Sequence, residues 1–353
     1  MLQSQGRRRS YEVMAAMNPG NIAFSNTRMR DLVAAFDWSS TSIGPISSWS
    51  PELKAQVQLC LDSEHPIMLA LGNDLIQIYN DGYIHILATK HPSALGCPAM
   101  ETWSEIKDFL APALTGVLQG KPLTQTDYPL LLNRNGKIAE HHYTFAYSAL
   151  KGGDGRVSGV MSIASDTSIN VRSARRIATL DRIAETARPG AAPSELWDGV
   201  RQALTKNRRD IAGAVLFAHH DGKPRSVTWS IGFSSPREFE SLQSQVVRSH
   251  KSRRQVKVLR PKQTSSGLEI GDLGIALPLR ARGQGAIATL VVFPHELVPV
   301  TRRLLGFYNG LRHSCERSLE IVTANRDEIN ALRNELAEVD IRYQLLFESL
   351  GEG

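Results

Sequence analysis

The stretch after Pro299 constrains the fold more than any other part of the chain. Nothing beyond that proline breaks a helix outright, so Val300 to about Leu350 can form one rod of roughly 75 Å at ~1.5 Å per residue. Within it Ile329, Leu332, Leu336, Val339, Tyr343, Leu346 and Leu350 recur at alternating spacings of three and four. That is the pattern of a two-stranded coiled-coil seam. The register runs back, more weakly, through Asn325, Val322, Ser318, Cys315, Leu311, Tyr308 and Leu304. A polar Asn325 in such a seam fixes register and partner number at a cost in stability. The flanks of the later half are charged: Arg326, Asp327, Glu328, Arg333, Glu335, Glu338, Asp340 and Arg342. One narrow apolar stripe on a charged rod fits a partner rod better than a broad core. This makes the helix the output shaft of a homodimer. The other reading is a terminal helix lying on its own domain.

A chain of 353 residues predicts two domains ahead of that rod. With 42% hydrophobic and 22% charged residues, it has an ordinary globular composition. No apolar run is long enough to span a bilayer, and Arg7-Arg8-Arg9 is followed by Ser10-Tyr11-Glu12 rather than by a signal-peptide core. Cys60, Cys97 and Cys315 are odd in number and far apart, which makes neither a disulfide framework nor a zinc site. A cytoplasmic protein is expected. The net charge of +6 gathers at Arg7 to Arg9, Arg172 to Arg182, Lys206 to Arg209 and Lys251 to Lys262. The last of these lacks interleaved aromatics for stacking bases and reads as a solvated basic loop. A basic nucleic-acid-binding regulator is the alternative that this charge raises.

Residues 1–36 read as a flexible N-terminal tail in which Met29 to Phe36 has the spacing of a short amphipathic helix. From Asp37 the chain is turn-rich, and Pro51 opens a helix over Glu52 to Leu61 with Leu53, Val57 and Leu61 on one face. Pro66 to Gly72 and Leu75 to Asn80 read as a hairpin around Asn73-Asp74. Short helical pieces follow, over Asp81 to Leu87 and Thr102 to Leu118. Three strands come next: Leu123 to Leu132, Ala139 to Leu150 and Gly155 to Ser165. The turns between them, Asn133 to Gly136 and Gly152 to Gly155, carry the glycines that tight hairpins need. This order, with Asp37-Trp38-Ser39, Gly44-Pro45, Ser48-Trp49, Tyr79-Asn80-Asp81-Gly82-Tyr83, Lys90 to Gly96, Trp103 and Thr144 to Ser148, resembles a PAS domain. The resemblance covers about residues 37–168, and its subfamily stands at the front of bacterial sensor kinases and phosphatases. It implies that Asp166-Thr167 caps an outgoing helix and relays signal into it.

Residues 169–190 are a basic linker helix in which Ile177, Leu180, Ala184 and Ala187 again step by three and four. They form either a second seam or a face packed on the next domain. Pro189 to Pro193 marks the boundary. Beyond it come a helix from a Ser194 cap to Thr205, a strand Ile211 to Ala218, a turn holding His219 and His220, and a strand Arg225 to Ile231. A helix Pro236 to Ser249 and the strands Gly274 to Leu279 and Ala286 to Phe293 complete the series. That order resembles a GAF domain over about 176–325, with domain limits at 191–325. Residues 326–353 are the coiled-coil output helix, and Arg342 to Gly353 looks like the opening of a further PAS domain. The fold class is therefore α+β: two tandem antiparallel-sheet domains, PAS then GAF, joined by helices and ending in a coiled coil. The combination resembles the sensory half of a bacterial histidine kinase, which implies a phosphorelay with a downstream kinase or other output domain.

No catalytic motif is present. Gly152 to Arg156 has the letters of a cyclase signature but sits between two strands as a turn. His141 and His142 are adjacent, so on a strand they face opposite sides and cannot hold one ion together. His85 and His91 lie where some PAS domains ligate haem, which keeps a haem- or small-molecule-dependent sensor enzyme as another alternative. No metal site follows, and no cofactor is identified. In a PAS-like domain a pocket lies between the sheet and its short helices. Tyr79, Tyr83, Trp103, Phe109 and Tyr147 are its candidate lining, suited to a small organic ligand; a filled core is the other reading.

Overall fold

A computed structural model describes residues 29–134, 136–188, 191–220, 223–233, 235–249, 256–260, 270–280, 286–298 and 300–324. The chain divides into two units, Met1–Val171 and Arg172–Gly353. Each combines helices with one antiparallel five-stranded sheet.

In the first unit, α1 (Met29–Ala35) begins with its backbone N–H on Asp81 at 2.9 Å. Its Met29 and Val33 are buried, so the core reaches back ahead of Asp37. Trp38 lies against Trp49 at 5.4 Å, and each indole N–H finds a carbonyl, of Val33 and Gly44 respectively. Ser50 caps α2 (Pro51–Asp62), with Pro51 at its first position. Its apolar face covers β1 (Ile67–Leu71) and β2 (Ile76–Tyr79). Short helical turns follow, then α3 (Lys107–Leu118), β3 (Leu123–Arg134), β4 (Lys137–Lys151) and β5 (Val157–Asp166). The sheet order is β2-β1-β5-β4-β3. Two strands, short helices and three strands in succession is the order that the PAS resemblance implies.

The helix α4 (Ser168–Ala184) leaves β5 and carries the chain into the second unit. There it is followed by α5 (Pro193–Thr205), β6 (Gly213–His220), β7 (Lys223–Ile231), α6 (Pro236–Ser249), β8 (Val256–Leu259), β9 (Leu273–Arg280), β10 (Ala286–Phe293) and α7, residues 302–324. The sheet order is β7-β6-β10-β9-β8. Alternate residues of each strand serve opposite faces. On β10, Ala288, Leu290 and Val292 join one cluster with α4, α5 and α7, while Val291 and Phe293 join another with Leu242 and Val246 of α6. Burial on both faces explains why the central strands β6, β10 and β9 are largely apolar runs, while the edge strands β7 and β8 keep exposed polar residues. At the outer edge the Gln245 amide donates to the Leu259 carbonyl at 3.0 Å and accepts from its N–H at 2.8 Å, occupying backbone groups that β9 leaves free.

Several sequence expectations are corrected. The α5 cap is Ala192 with Pro193 at the first helical position, not Ser194. β6 continues through His219 and His220 rather than turning there, because the His219 ring reaches the buried Thr289 hydroxyl at 2.9 Å. The basic segment Lys251 to Lys262 contains a strand: Val258 is buried beneath α6 while Lys257 points to water. In the linker, Thr179 and Ile183 are buried on the second unit, and Ile177 is 57% exposed, so the packed face is offset from the one expected. The early half of the terminal stripe also faces inward. Leu304, Tyr308, Leu311, Cys315, Ser318 and Val322 are buried, all but Ser318 in the cluster formed with the sheet. They serve their own unit rather than a partner rod. Asn325, Ile329, Leu332, Leu336, Val339, Tyr343, Leu346 and Leu350 lie outside the described residues.

Leu311→Ala should therefore cost the second unit about 2–5 kcal/mol. The measurement is its denaturant midpoint at several protein concentrations. A loss that varies with concentration would instead place Leu311 against another chain.

Candidate functional site

The first unit holds a partly open cavity between the inner face of β3–β5 and the short helices, with about 30 Å³ open to the centre of a water molecule. That is room for a water or two, not for a drug-sized ligand. Tyr83, Trp103 and Tyr147 line it as expected. Tyr79 and Phe109 do not. Tyr79 lies behind Tyr83, with ring centroids 6.4 Å apart, and its hydroxyl meets His91 Nδ1 at 3.0 Å and the Pro92 carbonyl at 3.4 Å. Phe109 stacks on Tyr128 at 4.8 Å at the outer side of Phe145. The aromatic choice missed Tyr143, Phe145 and Ser162. Their signal was period-two alternation: Tyr143, Phe145 and Tyr147 share one face of β4, and Val160, Ser162 and Ala164 share one face of β5.

The wall owes its position to buried polar side chains. Gln77 has no exposed surface; its carbonyl accepts the Trp103 indole N–H at 2.9 Å and its amide donates to Thr102 Oγ1 at 2.6 Å. Lys90 lies 4.3 Å over the Trp103 ring and pairs with Glu105 at 2.5 Å. Glu105 also accepts the Asn133 backbone N–H at 3.3 Å, which fastens the short helices to β3. Tyr83 and Ser162 share a hydrogen bond across the cavity, and burial raises the tyrosine pKa. Burial likewise raises those of Tyr143 and Tyr147. At neutral pH the wall therefore presents neutral hydroxyls that both donate and accept.

From this wall a polar chain leads to the outgoing helix. Arg134 donates to the Tyr143 hydroxyl and stands 3.6 Å from Asp166. Asp166 accepts the Ser168 backbone N–H at 2.9 Å, where α4 starts. The Ser168 hydroxyl accepts the His142 N–H at 2.9 Å, and the Thr167 N–H donates to the His142 carbonyl at 2.9 Å. Burial alone would raise the Asp166 carboxyl, but the Ser168 hydrogen bonds and the neighbouring Arg134 and His141 outweigh it and hold the pKa below its ordinary value. Of the histidines considered for haem, His85 is exposed and His91 is engaged by Tyr79; neither lines the cavity. Among the described residues no three His, Cys, Asp or Glu side chains group as metal ligands, and no helix is long and apolar enough to cross a membrane.

No family profile matches the chain, and no curated protein does. Solved structures do. The GAF domain of a protein from Pseudomonas syringae pv. tomato, described as a sensor histidine kinase, is 17% identical over 48% of this chain and 97% of its own, with a TM-score of 0.31. A PAS domain from Colwellia psychrerythraea is 15% identical over 33% of this chain and 98% of its own, with a TM-score of 0.27. The phytochrome photosensory core module of Stigmatella aurantiaca is 10% identical over 77% of this chain and 60% of its own, with a TM-score of 0.33. The chain is thus similar in structure, at low identity and in parts, to PAS and GAF domains of signalling proteins.

The Tyr79–His91 contact has a pH signature. Burial lowers the His91 pKa, and the Asp81 carboxylate opposes this more weakly. The folded state then binds fewer protons than the unfolded one between the lowered pKa and the ordinary ~6.5. This contribution to stability is complete above that window and is lost as pH falls through it. An NMR titration of the His91 ring should give a midpoint below ~6.5; a midpoint above it would contradict the burial.

Proposed function

We propose that the chain is the sensory and dimerisation module of a bacterial two-component signalling protein, acting in the cytoplasm. A small neutral ligand, or a shift in the cavity wall alone, moves Tyr143. Arg134 and Asp166 pass that movement to the start of α4. The observation that carries this reading is the unbroken run of contacts from a cavity-lining tyrosine to the cap of the helix that leaves the unit. A relay of this kind needs two arrangements with different affinities for the signal. The PAS-like words in the sequence support the sensory role, and the seam from Ile329 through Leu332, Leu336, Val339, Tyr343 and Leu346 supports pairing of two chains ahead of an output domain such as a kinase.

Two experiments test the reading. Ala164 lines the cavity, so Ala164→Leu fills it from the sheet side. It should change amide exchange over residues 168–172 by about fivefold or more, the low end of ordinary coupling between sites. Arg134→Gln in the same chain should remove the change. Exchange that ignores Ala164→Leu would sink the relay. Separately, Leu336→Pro costs a helix about 3 kcal/mol or more and should convert the dimer to monomers in light scattering with both units still folded. A variant that remains dimeric counts against the seam.

A further inference from the structure

Asp210 is an acidic side chain with no exposed surface. It sits between α5 and β6, and two consecutive residues of α4 hold it. Arg175 Nε donates to Oδ2 at 2.8 Å, while Arg176 donates to Oδ1 through Nε at 3.0 Å and Nη2 at 2.8 Å. Neighbours on a helix are about 100° apart, so one carboxylate can take both arms only by lying between them along the helix flank. The Asp210 N–H donates to the Asn207 side chain at 3.2 Å, and the Asn207 amide donates to Thr179 Oγ1, one turn further along α4, at 2.9 Å. From α7 the Tyr308 hydroxyl donates to the Asp210 carbonyl at 2.8 Å, and Phe307 lies under Arg176 at 5.7 Å.

We propose that Asp210 is a latch that fixes the rotational setting of α4 on the second unit, and that its opening loosens α4 without unfolding the sheet. Turning α4 by one residue in either direction brings Ala174 with Arg175, or Arg176 with Ile177, to the carboxylate. Either move gives up one ion pair and the Thr179 contact. The two arginine side chains retain 20% and 12% exposure against none for Asp210, so on opening they can turn to water while the carboxylate bears the desolvation. Outside the latch the anchoring of α4 is one-sided: Ile183 is buried and Leu180 packs beside it, while Ile177 is 57% exposed and Ala184 is also exposed. This device needs no occupant in the cavity of the first unit.

The test is amide hydrogen exchange on the full chain, read by mass spectrometry. Asp210→Asn keeps the shape and removes the charge. Exchange in peptides covering 175–184 should rise about tenfold or more, with peptides covering Leu273–Arg280 within about twofold of the parent, as for a local opening. Unchanged exchange in α4, or an equal rise in both regions, overturns the latch. Should Asp210→Asn fail to fold, Arg175→Gln gives the same decision, because it removes one arm and leaves Asp210 paired with Arg176. A rise confined to α4 supports the proposal, and no rise or a rise shared with the sheet rejects it.

Discussion

Asn80 has no exposed surface, and with no water available its side-chain amide must find every partner within the protein. It does so by joining three separate pieces of chain. Its oxygen accepts the Ile67 N–H at 3.0 Å and the Tyr83 N–H at 3.1 Å, and its nitrogen donates to the carbonyls of Ser63 at 2.8 Å and His65 at 2.6 Å. The end of α2, the first strand and the helical turn that presents Tyr83 are thereby held in one geometry. Gly82 permits it, since a Cβ there would come within 2.7 Å of the Glu64 carbonyl. Gln77, three residues earlier on β2, does the same for Trp103. Each amide would leave several buried groups unsatisfied if it moved, at a cost of about 1–3 kcal/mol per group. The cavity keeps its shape for that reason, even though its lining is mostly apolar and non-directional.

The second unit relies on patterning instead. Helices on one face and α6 on the other bury the three central strands β6, β10 and β9 on both sides, so specificity there has to come from helix ends and buried charges. Ser235 and Glu238 form a reciprocal cap at the start of α6, with the Ser235 N–H donating to Glu238 at 2.9 Å and the Glu238 N–H to the Ser235 hydroxyl at 3.2 Å. The pair sets where that helix begins. The Asp210 cluster sets how α4 is turned.

Strand and helix positions were legible because apolar period and turn glycines agreed. The failures have physical causes. A heptad stripe and the inward face of a helix on a sheet differ only in width and in what lies opposite, and residues 304–322 satisfy both patterns locally. Only the charged flanks distinguish the later residues, and these flanks begin at Arg326. Val256 to Leu259 looked like loop because Lys257 and its basic neighbours outweighed a short alternation. An edge strand with one buried face tolerates such charge. For the cavity, aromatic character alone was the wrong filter. Tyr79 and Phe109 are as aromatic as Tyr143, but their hydroxyl or ring is used elsewhere. Position on the inward face of β4 and β5 decides lining, and it admits Ser162 and Ala164 as readily as tyrosine. The Arg134–Asp166 link pairs residues of different strands, which no local spacing reveals.

The Gln245 side chain on the rim of the second sheet has its own consequence. It imitates one residue of an extra strand, offering Leu259 the acceptor and donor that a neighbouring backbone would offer. An incoming segment would have to expel it before adding to that edge, and β8 is only four residues long, so little is gained in return. Sheet extension is thus discouraged at the Leu259 end of that rim at the expense of a single amide.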